Sequence, residues 1–233
     1  MVKTICLIPA RSGSKSIKNK NILNLGGIPL LAWSIRASKM SKKIQQTIVS
    51  TDSKNYANIA KKFGAQVPFI RPKNLSTNFS EDTSCVLHCI KWLEKKNQIP
   101  DFIVHLRPTT PFRKVNIIDK AISIFQKNKK ANSLRSVHEM SETAYKTLEK
   151  KNDFLKLVFN QKGTIDKANG PRQKYPKTYF PNGYVDIFRV KDVLNSNMLY
   201  GKRSLFFLTP EVTELDNLVN LNYLKFQLKN NKL

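Results

Sequence analysis

At 233 residues the chain has room for one sizeable core, and its 40% apolar and 24% charged residues are ordinary globular values, which excludes a disordered chain. The 41 Lys+Arg against 16 Asp+Glu leave a formal charge of +25, which asks for a polyanionic partner such as a polyphosphate, a nucleic acid or an anionic surface. The N-terminal apolar run is too short for a secretory signal and no stretch reaches the roughly 18 apolar residues of a membrane span, so a cytoplasmic protein with no membrane partner is expected.

Residues 2–8 form a short apolar run stopped by Pro9 and predict a buried strand. A polar, basic loop to Asn24 follows, and Pro29 opens an apolar helix through Leu30, Leu31, Trp33 and Ile35. Residues 47–50 are the next strand, with Thr51 and Asp52 at its carboxyl end; a helix over 56–63 stops at Gly64, and residues 67–70 resume a strand. Residues 81–96 place Val86, Leu87, Ile90 and Leu93 at helical spacing, and 102–106 read as a strand. This alternation predicts one α/β domain over 1–233 with a mostly parallel sheet. Beyond Ser133 the rhythm changes, and an inserted arm is expected at about 140–180. Strands over 184–190 and 204–208 and a helix over 218–228 complete the chain. Cys6, Cys85 and Cys89 lack metal-ligand spacing and read as small core residues.

Ligands of open α/β sheets bind beyond the carboxyl ends of the strands, which draws attention to the loop after the first one. It places Arg11, Lys15, Lys18 and Lys20 within ten residues, while Ser12, Gly13 and Ser14 permit tight turns whose N–H groups can face an anion. A triphosphate suits that chemistry. The loop has neither P-loop nor dinucleotide-binding glycine spacing, so ATPase and dehydrogenase readings lose their support.

Together, Ile8-Pro-Ala-Arg-x-Gly-Ser-Lys-x-Ile-x-x-Lys-Asn and the downstream Gly26-Gly27-Ile-Pro-Leu-Leu resemble the signature of acylneuraminate cytidylyltransferases, the CMP-sialic acid synthetase family. Val49-Ser-Thr-Asp52, Arg71-Pro72, Val86-Leu-His88, the Pro-Thr-Thr-Pro-x-Arg stretch ending at Arg113, Pro171-Arg-Gln173 and Pro181-Asn-Gly183 follow in the family's order, so the resemblance spans residues 2 to about 223.

The resemblance implies a Rossmann-like nucleotidyltransferase with a small inserted dimerisation arm, acting on CTP and an acidic sugar as a homodimer. It makes Arg11, Lys15 and Lys20 the catalytic cations and gives the nucleotide to Arg11, Ser14, Lys15, Lys20, Asn21, Arg71, Ser80 and Asp82. Arg107, Thr109, Arg172, Gln173 and Asn182 fall to the sugar, and Glu214 and Asp216 to Mg²⁺. Glu81 and Asp82 stand where small hydroxyl residues are usual, Arg107 replaces a neutral amide, Tyr184 is bulkier than the usual Ala, and Asn220 stands in for a third acid. Helix capping is the alternative role for Ser80, Glu214 and Asp216. The departures at Arg107 and Tyr184 suggest a nonulosonic acid other than N-acetylneuraminic acid, such as a legionaminic or pseudaminic type, with an eight-carbon keto-deoxy acid as the alternative.

Among rivals, a sugar-1-phosphate nucleotidyltransferase should show a Gly-x-Gly-Thr-Arg loop, which is absent. A nucleic-acid-binding module would account for the charge, but the lysines are scattered over several segments and give no massed basic arm. The three histidines share no spacing, and none is assigned to catalysis.

Overall fold

The computed structural model describes residues 3–159 and 163–230; Val2 of the first expected strand and residues 160–162 of the expected arm lie outside them. In chain order the strands and helices are β1 (Thr4–Pro9), β2 (Asn24–Leu25), β3 (Ile28–Pro29), α1 (Leu30–Met40), β4 (Gln46–Ser50), α2 (Lys54–Lys62), α3 (Asp82–Glu94), β5 (Phe102–His105), α4 (Val115–Lys127) and β6 (Ser133–Glu139). They continue with β7 (Leu148–Lys151), β8 (Phe154–Leu157), α5 (Ile165–Ala168), β9 (Tyr179–Arg189), α6 (Val190–Ser196), β10 (Ser204–Leu208) and α7 (Leu218–Lys229).

Six strands make the central sheet in the order β10-β6-β9-β5-β1-β4. β1 runs parallel to both β4 and β5, β10 runs parallel to β6, and β9 is antiparallel to both its neighbours. Strand alternation explains the two-sided core. Cys6 and Ile8 of β1 join one apolar cluster with Ile35 of α1, Ala60 of α2 and Phe125 of α4. Ile5 and Leu7 point to a second, with Cys89 and Leu93 of α3 and Val193 of α6. Helices thus cover both faces, as a mostly parallel sheet requires. All three cysteines are buried and unpaired, and burial pushes the Cys6 thiol up to about 12, as core residues should be.

Two elements differ from expectation. The strand expected at 67–70 is reduced to two isolated parallel bridges, Ile48 with Gln66 and Thr51 with Ile70. Pro68 has no N–H to give a ladder, which is the physical reason. The strand expected at 184–190 begins earlier, at Tyr179, and its pairing with β6 shifts register between Arg135 and Val137. At that irregularity Gly183 adopts φ +61°, and Val190 then starts α6, a helix that its apolar sequence had disguised as more strand.

Between β6 and β9 the chain leaves the sheet as the β7–β8 hairpin and α5. Met140 N–H donates to Thr178 carbonyl at 3.0 Å where the excursion begins and ends. No helix among the described residues is long and apolar enough to cross a membrane.

Candidate active site

A cleft of about 500 Å³ opens at the carboxyl ends of β1 and β5, where the connectivity of a parallel sheet leaves a crevice. From the loop after β1 it takes Arg11, Ser14, Lys15, Lys20 and Asn21; from the segment before and into α3, Arg71, Ser80 and Asp82; from the loop after β5, Arg107 and Thr109; and from the segment before α7, Glu214 and Asp216. Twelve of the sequence-predicted site residues therefore meet in one place, although the first and last are separated by most of the chain.

The cationic loop is held from beneath. Asp52, just past β4, accepts from the Ser12 backbone N–H at 2.8 Å and from its hydroxyl at 2.9 Å. Asn21 is buried and its Nδ2 donates to the Arg11 carbonyl at 2.9 Å, so it braces the loop as well as lining the cleft. Tyr56 Oη donates to Asn19 Oδ1 at 3.2 Å, at a residue in the left-handed region (φ +57°) that asparagine tolerates. Arg11 reaches across to donate to the Thr77 carbonyl at 2.7 Å and to Asn78 Oδ1 at 2.9 Å. These bonds fix the loop's backbone while leaving the Lys15 ammonium for a ligand.

Opposite the loop stand the two acids. Glu214 Oε1 accepts from the Thr109 hydroxyl at 2.7 Å, and Asp216 Oδ1 pairs with Lys20 Nζ at 3.2 Å. Neither caps α7 with its side chain: Asn217 is the N-cap, accepting from Asn220 N–H, while Asn220 Oδ1 accepts from the Asn217 N–H in return. Asn220 is committed to that capping box and does not act as a third carboxylate would. Among the described residues no group of three or more His, Cys, Asp or Glu forms a metal cluster, so the pair would need phosphate oxygens or water to complete a coordination shell.

At the third wall Arg71 is 5% exposed, and its Nε and Nη2 have no hydrogen-bond partner among the described residues, an arrangement that burial makes costly unless an acceptor arrives. Ser80 is not the cap of α3: Glu81 holds that position without a side-chain bond, and the Ser80 hydroxyl accepts from Thr77 N–H at 2.9 Å. Arg107 faces the cleft but is not a free cation. Its Nη2 donates to Asp82 Oδ2 at 2.7 Å and its Nη1 to Asp186 Oδ2 at 3.0 Å. Burial works against the guanidinium charge, yet Asp82 and Asp186 outweigh it and raise the pKa. Burial also opposes the Asp82 carboxylate, but His105, Arg107 and Arg71 together hold it below the usual range.

Three predicted sugar residues lie outside this cleft. Asn182 is buried, its Nδ2 donating to Thr209 Oγ1 at 2.7 Å and its Oδ1 accepting from Tyr184 N–H at 3.2 Å. Arg172 and Gln173 line a second cavity of about 280 Å³ in the arm, where Arg172 pairs with Glu139 at 2.9 Å. Tyr184, one of the two departures taken to bear on the sugar, is not among the residues lining the cleft: its ring is buried and its hydroxyl accepts from the Lys114 N–H.

Sequence reasoning assigned no role to Arg113, Asp186 or Asp52. Arg113 is buried and donates to the carbonyls of Arg107, Thr110, Gly183 and Tyr184, locking the loop after β5 onto β9. Burial lowers it to about 10, so it remains a cation at neutral pH. Asp52 was findable, because it closes a strand at the carboxyl edge of a parallel sheet. Asp186 gave no signal, since a lone acid inside an apolar strand shows its partner only in three dimensions.

A family model described as cytidylyltransferase matches residues 5–191. A pseudaminic acid cytidylyltransferase of Campylobacter jejuni is 29% identical over 99% of this chain and 98% of its own length. An N-acylneuraminate cytidylyltransferase of Escherichia coli is 31% identical over 92% of this chain and 49% of its own, and a CMP-N,N'-diacetyllegionaminic acid synthase of Legionella pneumophila is 28% identical over 91% and 89%. Among solved structures, a CMP:2-keto-3-deoxy-manno-octonic acid synthetase complexed with CTP superposes with a TM-score of 0.71, at 13% identity over 99% of this chain and 100% of that one, which is a likeness of fold.

Proposed function

Because the chain belongs to the cytidylyltransferase family, we propose that it transfers CMP from CTP to the anomeric hydroxyl of a nonulosonic acid, with pyrophosphate as the leaving group. The single observation that supports this reading best is the meeting of the Arg11, Lys15 and Lys20 cations with the Glu214 and Asp216 carboxylates in one cleft at the carboxyl edge of the sheet. A triphosphate needs the first set and its counter-ion the second.

In this reaction the sugar oxygen bonds to the α-phosphorus, the bond from that phosphorus to the bridging oxygen breaks, and the hydroxyl proton leaves to solvent or base. Such transfers depend mostly on positioning and on neutralising charge. Lys15 and Lys20 stabilise charge growing on the leaving pyrophosphate, and Arg11 with Ser14 and Asn21 keeps the loop against the phosphates. Arg71, whose Nε and Nη2 have no partner among the described residues, gives hydrogen bonds to the nucleotide. None of the described residues that line the cleft is a histidine; His105 is buried behind Asp82, and burial depresses it to about 4.

The donor chemistry of Glu214 and Asp216 fits Mg²⁺, which takes one or two carboxylates and fills its shell from phosphate and water. When bound, the ion would neutralise phosphate charge. Thr109 orients Glu214, and Lys20 pairs with Asp216, the two carboxylates that would hold the ion.

A homodimer made through the arm accounts for Phe154 at 74% and Phe159 at 62% exposure, apolar surface that a lone chain leaves in water. It also offers a reason why Arg172 and Gln173 lie away from the cleft of their own chain. The protein works in the cytoplasm, where CTP is available.

The test is pyrophosphate release with Mg²⁺, crossing CTP, UTP, ATP and GTP against neuraminic, legionaminic, pseudaminic and eight-carbon keto-deoxy acids. Release with CTP and one nonulosonic acid is expected. Folded, metal-loaded protein that releases nothing with any pair would remove the proposal.

A further inference from the structure

Two positions at which the chain departs from the pattern it resembles, Asp82 and Arg107, are bonded to each other at 2.7 Å across the cleft wall. They come from α3 and from the loop after β5, 25 residues apart, so the contact is tertiary and not a local accident. Behind them the pair is anchored. Arg107 Nη1 donates to Asp186, which is 1% exposed and accepts from Tyr200 Oη at 2.9 Å on the same Oδ2 atom. Gly183, at φ +61°, lies against this group; a Cβ there would sit 3.5 Å from Arg107 Nη1.

Arg107 is shared between two carboxylates, and Asp82, the outer one, also feels Arg71 and His105. Asp82 Oδ2 is taken by Arg107. Its Oδ1 has no hydrogen-bond donor among the described residues; His105 Nε2 lies at 4.0 Å, too far for a hydrogen bond. The Asp82 side chain keeps 37% of its surface exposed in the cleft, whereas Asp186 keeps 1%. Arg107 therefore satisfies one oxygen and leaves the other without a donor on a side chain that lines the cleft.

We propose that Asp82 is a specificity-determining residue whose Oδ1 accepts a hydrogen bond from an N–H donor of the substrate, with Arg107 as the positioning residue that holds it. An ionised carboxylate only accepts, so it rewards a donor and penalises a group that can only accept. Two donors in the proposed reaction have this chemistry: the exocyclic amine of cytosine, for which a carboxylate is an apt acceptor, and the acylamino N–H of a nonulosonic acid. This inference rests on the cytidylyltransferase reading given above and names what one wall of that cleft selects.

The experiment is steady-state pyrophosphate release by wild-type, Asp82→Ala, Asp82→Asn and Arg107→Gln proteins. CTP is compared with UTP, and an acylamino nonulosonic acid with an eight-carbon keto-deoxy acid that has no acylamino group. In Asp82→Asn the oxygen of the amide stays with Arg107 and the NH₂ takes the outer position, turning an acceptor into a donor. If the cytosine amine is the donor, the preference for CTP over UTP falls at least tenfold in Asp82→Asn, and in Asp82→Ala to a smaller extent. If the acylamino group is the donor, that preference is unchanged while KM for the acylamino sugar rises about tenfold and KM for the eight-carbon acid does not. Arg107→Gln should move the same ratio in the same direction by less, through KM and not kcat, which a merely structural role would not do. Ratios within twofold of wild type for both pairs in folded Asp82→Ala and Asp82→Asn protein would overturn the inference while leaving the reaction itself established. Wild-type protein without CTP-dependent release would instead overturn the reading beneath it, and this inference with that reading.

Discussion

The loop after β1 and the arm between β6 and β9 are both lysine-rich excursions from the same sheet, yet they are built in opposite ways. The loop's backbone is tied down by Asp52, Asn21 and the Tyr56–Asn19 contact, so the chain that carries its charges is in place before any ligand arrives. The arm has a two-stranded hairpin whose apolar side chains, Phe154 and Leu155, face solvent at 74% and 56% exposure. A segment that satisfies its own polar groups is ready to bind an anion; one that leaves apolar groups uncovered is ready to meet another surface.

Removing charge from the loop while sparing its braces should have the largest effect. Lys15→Ala is expected to lower kcat by roughly 10²–10³, the usual scale for losing a donor to developing oxyanion charge, with no change in thermal unfolding. A fall of less than tenfold would mean that Lys15 is a solvated cation and that Lys20 and Arg11 suffice. The opposite wall gives the next effect. Thr109→Val keeps the volume but removes the hydroxyl that orients Glu214, and should raise the Mg²⁺ concentration at half-maximal activity about 10- to 100-fold. An unaltered Mg²⁺ titration would detach Glu214 from the metal.

Removing the brace and sparing the charge sharpens the contrast further. Asp52→Ala leaves Ser12 without a carboxylate that accepts two hydrogen bonds, a loss of about 1–3 kcal/mol in local order. We expect kcat/KM for CTP to fall roughly tenfold at constant stability of the sheet, since Asp52 lies beyond the end of β4. Measured against Lys15→Ala, the ratio separates what the charges do from what their placement does.

How much of this could be read from residues alone depended on whether the information was local. The strand-loop-helix opening was legible because Pro9 ends an apolar run and four cations follow within a short stretch. Glu214 and Asp216 were legible through spacing and through a resemblance covering nearly the whole chain. What escaped was whatever required two distant segments to touch. Arg107 read as a cation facing the sugar, because nothing in its neighbourhood announces Asp186, 79 residues later. Arg113 read as the end of a motif, whereas its guanidinium is spent on carbonyls of a turn that forms only once β9 is in the sheet. Tyr184 read as bulk in a binding site for the same reason: alternation along a strand fixes which face a side chain takes only when the register is known, and here the register shifts beside it.

The arm supplies the smallest expected effect on chemistry and the clearest effect on mass. Phe154→Asp places a charge on the hairpin's most exposed apolar side chain, where burial against a partner would contribute about 1.5–3 kcal/mol. Sedimentation should then shift from twice the 26.7 kDa chain mass toward the single chain, while kcat with saturating substrates changes by no more than a few-fold, because no residue of the hairpin lines the cleft. The KM values distinguish two uses of the arm. If the arm only holds subunits together, KM for CTP and for the sugar move together or not at all. If Arg172 and Gln173 serve the cleft of a second subunit, KM for the acidic sugar rises alone, since a guanidinium that would meet its carboxylate leaves with the partner. Wild-type protein that sediments as a single chain would show instead that the uncovered apolar surface waits for something other than a second copy.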